Sequence, residues 1–222
     1  MSEMMRFVTW NLKYSGWGHS PRRLEYLKTI EWDVLALQEV SRKAWDVFTK
    51  GGIAEDGLYT MEGFGLQPEG RQPHGAALLV QNDFSLSEPE LMPGIPKPER
   101  ALAARLHALG QPATVVSWHA PNASGEGRDV KMQGYRGITN WLCRVEGSLV
   151  LGFDGNHWNP STSLALPDVL DIANPWYPEE SFFGVNPAHR LRDAFLDHLK
   201  QHSSAYQEAI AKRPEGPLAV SY

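Results

Sequence analysis

Four apolar segments of this chain end on groups that a strand does not need for its own stability. MRFVTWNL (5–12) reaches Asn11, and DVLALQEV (33–40) reaches Glu39. ATVVSWHA (113–120) reaches His119, with Asn122 just beyond, and SLVLGFDGN carries a strand at 148–153 into Asp154 and Asn156. Each segment reads as a strand by its β-branched, aromatic or continuous apolar content. One polar ending has an ordinary explanation, because Asp-Gly and Asn are common loop starters. Four of them point to a sheet that delivers polar groups to the floor of a site, since loops at the carboxyl ends of strands are where such sites are built.

The segments between them set the order of elements. SPRRLEYLKTIEW starts as a helix, with Ser20 as N-cap, Pro21 at N1, and Leu24, Leu27 and Ile30 on one face. Ser41 caps a second helix, SRKAWDVFTK, which Gly51-Gly52 stops. A strand–helix–strand–helix opening requires a sheet covered by helices on at least one face. Strands then follow at 58–66, 74–81, 99–109 and 113–120, separated by Gly, Pro and Asn-Asp breaks. In ERALAARLHAL the residues Ala101, Ala103, Arg105 and His107 alternate with Leu102, Ala104, Leu106 and Ala108, as in a half-buried strand. A helix follows at about 128–145. Late segments such as AHRLRDAFLDHLKQH read as short helices, and PLAVSY reads as a strand just begun.

With 222 residues the chain is long enough to bury a substantial core as one domain, residues 1–222. Its 42% hydrophobic and 21% charged content excludes a disordered chain. No apolar run is long enough to cross a membrane. The one cysteine, Cys143, forms no internal disulfide, so a cytoplasmic location is expected, and its helical context reads as core filler. A net charge of −5 argues against a large sequence-independent grip on nucleic acid. It does not exclude a phosphate held by a metal and a few donors. Trp17, Trp158, Trp176 and Tyr177 fall in loops, where they line a cleft or, more simply, pack the loops onto the body.

The polar endings define a chemistry. Two carboxylates (Glu39, Asp154), two amides (Asn11, Asn156) and an imidazole (His119), with no cysteine beside them, exclude a thiolate metal site. Oxygen ligands in small number suit Mg²⁺ or Mn²⁺, which keep waters and are completed by substrate phosphates. A carboxylate beside such an ion activates water, and Asn and His donors hold developing charge on phosphoryl oxygens. Phosphoester hydrolysis is the natural reading.

TWNLKYSG, DVLALQEV, SWHAPN and GFDGNHW, in this order, resemble the endonuclease/exonuclease/phosphatase superfamily, which includes deoxyribonuclease I-like and exonuclease III-like enzymes. The resemblance runs from about residue 5 to Asp193 in LRDAF. It implies an α+β fold, a four-layer α/β/β/α sandwich of two mixed sheets flanked by helices. It implies a hydrolase, a metal-dependent phosphodiesterase or nuclease, acting on a phosphoester substrate, either nucleic acid or a small phosphoester. Glu39 is then expected to bind the metal with Asn11 beside it, His119 to contact the scissile phosphate, Asp154 to orient or activate water, and Asn156 to hold phosphate and metal.

Two departures stand out. The family has Gly directly before the Asp of the last motif, whereas here Phe153 intervenes and Gly152 sits one place earlier. Family members also close with a strand carrying an Asp and then a Ser-Asp-His segment, and neither follows Asp193. The expectation is a chain lacking its closing C-terminal strands; a divergent member with an incomplete site is the other reading. The alternatives in function are a binding module that keeps the fold without the acid/base histidine, and a small-molecule phosphatase.

Other residues invite blander readings. His198 and His202 stand four apart on a helix but lack a third ligand nearby, so a solvated face is the better reading. The Gly-rich run from Asn122 to Arg128 is either a phosphate seat or a connector. Arg22 and Arg23 read as a solvated first turn, whereas Arg71 and Arg100 are possible substrate contacts. His157 points away from Asn156 on an extended segment and stays outside the site.

Overall fold

The structure, a computed structural model, describes residues 5–13, 19–66, 73–81, 83–107, 112–156, 182, 187–202, 204 and 208. Trp17, Arg71, His157, Trp158, Trp176, Tyr177 and the segment PLAVSY lie outside the described residues.

Among the described residues, eight strands form two four-stranded sheets. The first contains β1 (Phe7–Asn11), β2 (Val34–Ser41), β3 (Asp56–Tyr59) and β4 (His74–Val80) in the order β1-β2-β4-β3. The second contains β5 (Ser85–Leu91), β6 (Ala101–His107), β7 (Ala113–His119) and β8 (Ser148–Asp154) in the order β5-β6-β7-β8. Both sheets are mixed: β1 runs parallel to β2 and β7 parallel to β8, while the other pairs are antiparallel.

Helices α1 (Ser20–Leu27) and α2 (Arg42–Lys50) cover the first sheet, burying Leu24, Leu27, Trp45 and Phe48 against Leu35, Leu37 and Leu79. Helix α4 (Arg128–Leu142), preceded by the single turn α3 (Ala123–Glu126), covers the second sheet with Tyr135, Ile138 and Trp141 against Val116 and Trp118. Helix α5 (Ala194–Gln201) follows late in the chain. Between the sheets Val34, Ala36, Leu78 and Val80 meet Leu102, Ala104, Leu106 and Val115. These are the four layers that the resemblance implies.

Several local expectations change. The N-cap of α1 is His19, with no side-chain capping bond, and Ser20 is the first, buried, helical residue. Ser41 does cap α2, accepting from the Ala44 N–H at 3.2 Å. Strand β6 is buried on both faces through Ala101–Ala104 rather than half-buried, because it is sandwiched between the other sheet and a helix. The strand read at 58–66 ends at Tyr59. Strand β5 (SLSEPEL) was not legible: it is polar, contains Pro89, and lies at a sheet edge. Cys143 is exposed at the C-cap of α4, where its thiol donates to the Ala188 carbonyl at 3.0 Å; it does not fill the core.

Gly152 explains the shifted glycine of the last motif. A Cβ there would lie 2.8 Å from both Phe7 and Thr9 of the facing sheet. The residue that must be small is therefore the one between the sheets. Phe153, on the other face of β8, stacks on Trp118 at 5.7 Å.

Candidate functional site

Period-two alternation places the polar groups on one side of their strands. In β1, Phe7, Thr9 and Asn11 share a face, and Val8 and Trp10 pack toward the helices. In β7 the sequence Val115, Ser117, His119 runs along the inner face; in β8 it is Val150, Gly152, Asp154. His119 and Asp154 are register partners, as are Asn11 and Gln38. A polar row lies directly beneath: Gln38 Nε2 donates to Ser117 Oγ at 3.1 Å, and Ser117 Oγ donates to the Leu37 carbonyl at 2.7 Å.

Glu39 needs a further device. Simple alternation would send it toward the helices after inward-facing Gln38. Instead β2 bulges: Leu37 pairs with Ala77 and Val40 with Gly75, so one residue is extra, and Glu39 has φ +53°. A bulge resets the alternation, returning Val40 to the helix side and re-aiming Glu39 toward Asn11. A non-glycine residue held in the left-handed region marks strain that the surrounding structure sustains. Asn156 is held similarly, at φ +45°.

The five residues form one cluster. Asn11 Nδ2 donates to Glu39 Oε1 at 3.0 Å and to Asp154 Oδ2 at 2.5 Å. Asp154 Oδ1 accepts from the Asn156 backbone N–H at 2.9 Å. One carboxylate thus closes the turn and faces the cluster at once, so turn chemistry and site chemistry are both present. Asn156 Nδ2 donates to the Ala120 carbonyl at 2.7 Å and to His119 Nε2 at 2.8 Å. An amide with both hydrogens so committed makes Nε2 an acceptor and places the imidazole proton on Nδ1. His119 Nε2 also lies 3.4 Å from Glu39 Oε1.

His119 is neutral at ordinary pH. Burial pushes its pKa down to about 4; Glu39 and Asp154 pull upward without compensating, and Arg100 and His74 push further down. Ligand atoms of Glu39, His119 and Asp154 all lie within 4.8 Å of one another. Two carboxylates at this separation fit a small divalent cation. The Asn11 amide, whose Oδ1 accepts from the Lys13 N–H at 2.7 Å, turns its NH₂ rather than its oxygen between them.

Of the other residues singled out, Asn122 caps α3 through its side chain, accepting from the Ser124 N–H at 3.0 Å. Arg100 is tied to Glu126 at 2.7 Å. His198 and His202 are exposed, with their rings stacked at 4.3 Å. Arg22 and Arg23 line a groove of about 720 Å³ beside β1 with Trp10 and Tyr26. Asp193 is exposed ahead of α5.

Sequence reasoning missed His74, whose ring centroid lies 6.0 Å from that of His119. Attention to carboxyl ends of strands overlooks it, because β4 is antiparallel to β2 and brings its first residue, opposite Ser41, to the same end of the sandwich. Lys131 and Tyr135 were also missed: Lys131 Nζ donates to the Asn156 carbonyl at 2.9 Å, and Tyr135 Oη donates to the Gly155 carbonyl at 2.6 Å.

Two mixed sheets packed face to face with helices outside are the four-layer sandwich expected from the sequence. Solved structures share this fold. A humanized D. rerio TDP2 superimposes with a TM-score of 0.56 at 15% identity, over 71% of this chain and 64% of that one. D. rerio TDP2 complexed with a single-strand DNA product gives 0.56 at 16% identity, over 71% and 63%. A β-hairpin deletion mutant of beta toxin from Staphylococcus aureus gives 0.54 at 12% identity, over 70% and 68%. The chain thus spans less than two-thirds of the length of these TDP2 structures. No protein-family model matches the sequence, and no curated protein matches it. No described helix is long and apolar enough to cross a membrane.

Proposed function

We propose that this chain is a metal-dependent hydrolase of phosphoester bonds, a phosphodiesterase or nuclease, acting by in-line attack of water. The observation that carries the reading is the convergence of Asn11, Glu39, His119, Asp154 and Asn156, from four strand ends, into one hydrogen-bonded cluster. The shared fold with TDP2 supports it, and one of those structures holds single-strand DNA product. We read residues 1–222 as one such domain, with a nucleic acid or smaller phosphoester as substrate and the cytoplasm as its place.

Glu39 would hold Mg²⁺ or Mn²⁺, with the Asn11 amide beside it as a donor to the carboxylates rather than a ligand, and the bound ion would neutralise charge on the phosphoryl oxygens. Asp154 is the base: its Oδ2 reaches the centre of the cluster while Oδ1 is fixed by the Asn156 N–H. It orients the attacking water and takes its proton. Asn156 and His119 form the phosphate-facing pair. A phosphoryl oxygen entering between them gives both an acceptor once the imidazole carries its proton on Nε2. Asn11, donating to both carboxylates, holds them in place.

The test is hydrolysis of plasmid, single-stranded DNA, RNA and bis(p-nitrophenyl) phosphate with Mg²⁺ or Mn²⁺, each with and without EDTA. Cleavage of at least one substrate, abolished by EDTA, is expected. Cleavage insensitive to EDTA contradicts the metal, and no cleavage of any substrate favours a non-catalytic binding module.

A further inference from the structure

Helix α4 touches both loops of the candidate site from outside it. On one and a half turns, Lys131, Gly134 and Tyr135 share a buried face. Lys131 Nζ holds the Asn156 carbonyl and Tyr135 Oη the Gly155 carbonyl, at 2.9 and 2.6 Å. Gly134 lies against Pro121, just after His119; a Cβ at Gly134 would come within 2.9 Å of the Pro121 Cδ. Tyr135 is fixed in turn by an edge-on contact with Trp118 at 5.1 Å between ring centroids.

Burying a lysine carries a large desolvation cost, and this one points its ammonium at a backbone carbonyl beside the site. That carbonyl belongs to Asn156, whose φ of +45° lies in the left-handed region, which asparagine tolerates better than most residues other than glycine. The same residue's side-chain amide must meet both the Ala120 carbonyl and His119 Nε2. A carbonyl clamped on one side and an amide aimed on the other leave the peptide little freedom. Charge-assisted donation to a carbonyl is among the stronger hydrogen bonds available.

We propose that Lys131 and Tyr135 are positioning residues of the site: they hold the 155–156 backbone so that the Asn156 amide is directed at His119. Neither touches the reacting atoms in this scheme; both act through Asn156. The inference rests on reading His119 and Asn156 as the phosphate-facing pair, but its geometric content is testable without any activity. It also explains why a helix from the outer layer carries a lysine and a tyrosine on the face it buries.

The test uses the full chain labelled with ¹⁵N, and the variants Lys131→Met, Lys131→Arg and Tyr135→Phe. Long-range ¹H–¹⁵N spectra report the tautomer of His119, assigned by its loss in His119→Gln. The parent should carry the proton on Nδ1. Lys131→Met and Tyr135→Phe should each shift His119 toward a mixture of tautomers, and Lys131→Arg should restore most of the parent signature. Tyr135→Phe deletes one hydroxyl only, so it keeps the test available if Lys131→Met does not fold. With bis(p-nitrophenyl) phosphate and Mn²⁺, Lys131→Met should lower kcat about tenfold or more with little change in KM. In an Asn156→Ala background the same substitution should cost less than about twofold, because the residue it acts through is gone. An unchanged His119 signature in folded Tyr135→Phe and Lys131→Met overturns the proposal, as does full additivity with Asn156→Ala. If the parent cleaves nothing, the hydrolase reading fails while the tautomer result still decides the positioning role.

Discussion

Asn11 and Asp154, 143 positions apart, meet at 2.5 Å, and the same Asn11 nitrogen reaches Glu39 at 3.0 Å. One amide thus separates two carboxylates contributed by different sheets. Removing it leaves two like charges facing each other. Asn11→Ala should destabilise the protein by about 2 kcal/mol, the worth of hydrogen bonds to charged groups. Calorimetry with and without MgCl₂ checks this, and the cation should raise the melting temperature of the variant more than that of the parent.

The sheets approach closely where Gly152 faces Phe7 and Thr9, with no room for a methyl group. Gly152→Ala should force β8 away from β1 and cost roughly 1–3 kcal/mol in urea unfolding. Because Asp154 lies two residues on along the same face, activity should fall beyond what the loss of folded protein explains.

His119 titrates near 4 in the folded protein against 6.5 ordinarily. Between those values the unfolded chain binds a proton that the folded protein does not, so this residue makes stability rise as pH increases from about 4 to 6.5, with no further gain above. The gain is of the order of 3 kcal/mol. Denaturant unfolding across this range should show a shallower slope in His119→Gln than in the parent.

Arg100 and Glu126 form a pair with side chains only 12% and 20% exposed, and Glu126 also accepts from the Asn122 N–H at 3.0 Å. Burial alone would raise the Glu126 pKa, but that N–H and Arg100 hold it below the usual range. Arg100→Gln strands a partly buried carboxylate and should cost roughly 1–2 kcal/mol, with Glu126→Gln comparable and the double variant well short of the sum. Urea denaturation of the four proteins gives the coupling directly.

Much of the site was legible because period-two alternation is strict. Once Asn11, His119 and Asp154 are each placed at the end of a strand, the strand's apolar residues decide which face they share. Glu39 was legible only as a residue type near a strand end; what aims it is a bulge at Gln38-Glu39, and nothing in LQEV announces an extra residue. His74 enters from the amino end of an antiparallel strand, a direction fixed by pairing rather than by local sequence. Lys131 and Tyr135 were hidden for a related reason. On a helix pattern a lysine reads as solvent-facing, and only tertiary packing shows that it reaches the Asn156 carbonyl. Cys143 erred the other way: WLC reads as core, yet the helix ends at Leu142 and the thiol emerges.

The central claim is that the cluster around Asp154 activates water for attack on a phosphoester, and the rate of bis(p-nitrophenyl) phosphate hydrolysis at saturating Mn²⁺ tests it most directly. Asp154→Ala, shown to be folded by its melting curve, should lose about 10²-fold or more of the parent's kcat. A folded Asp154→Ala that hydrolyses the ester at the parent's rate would contradict the account.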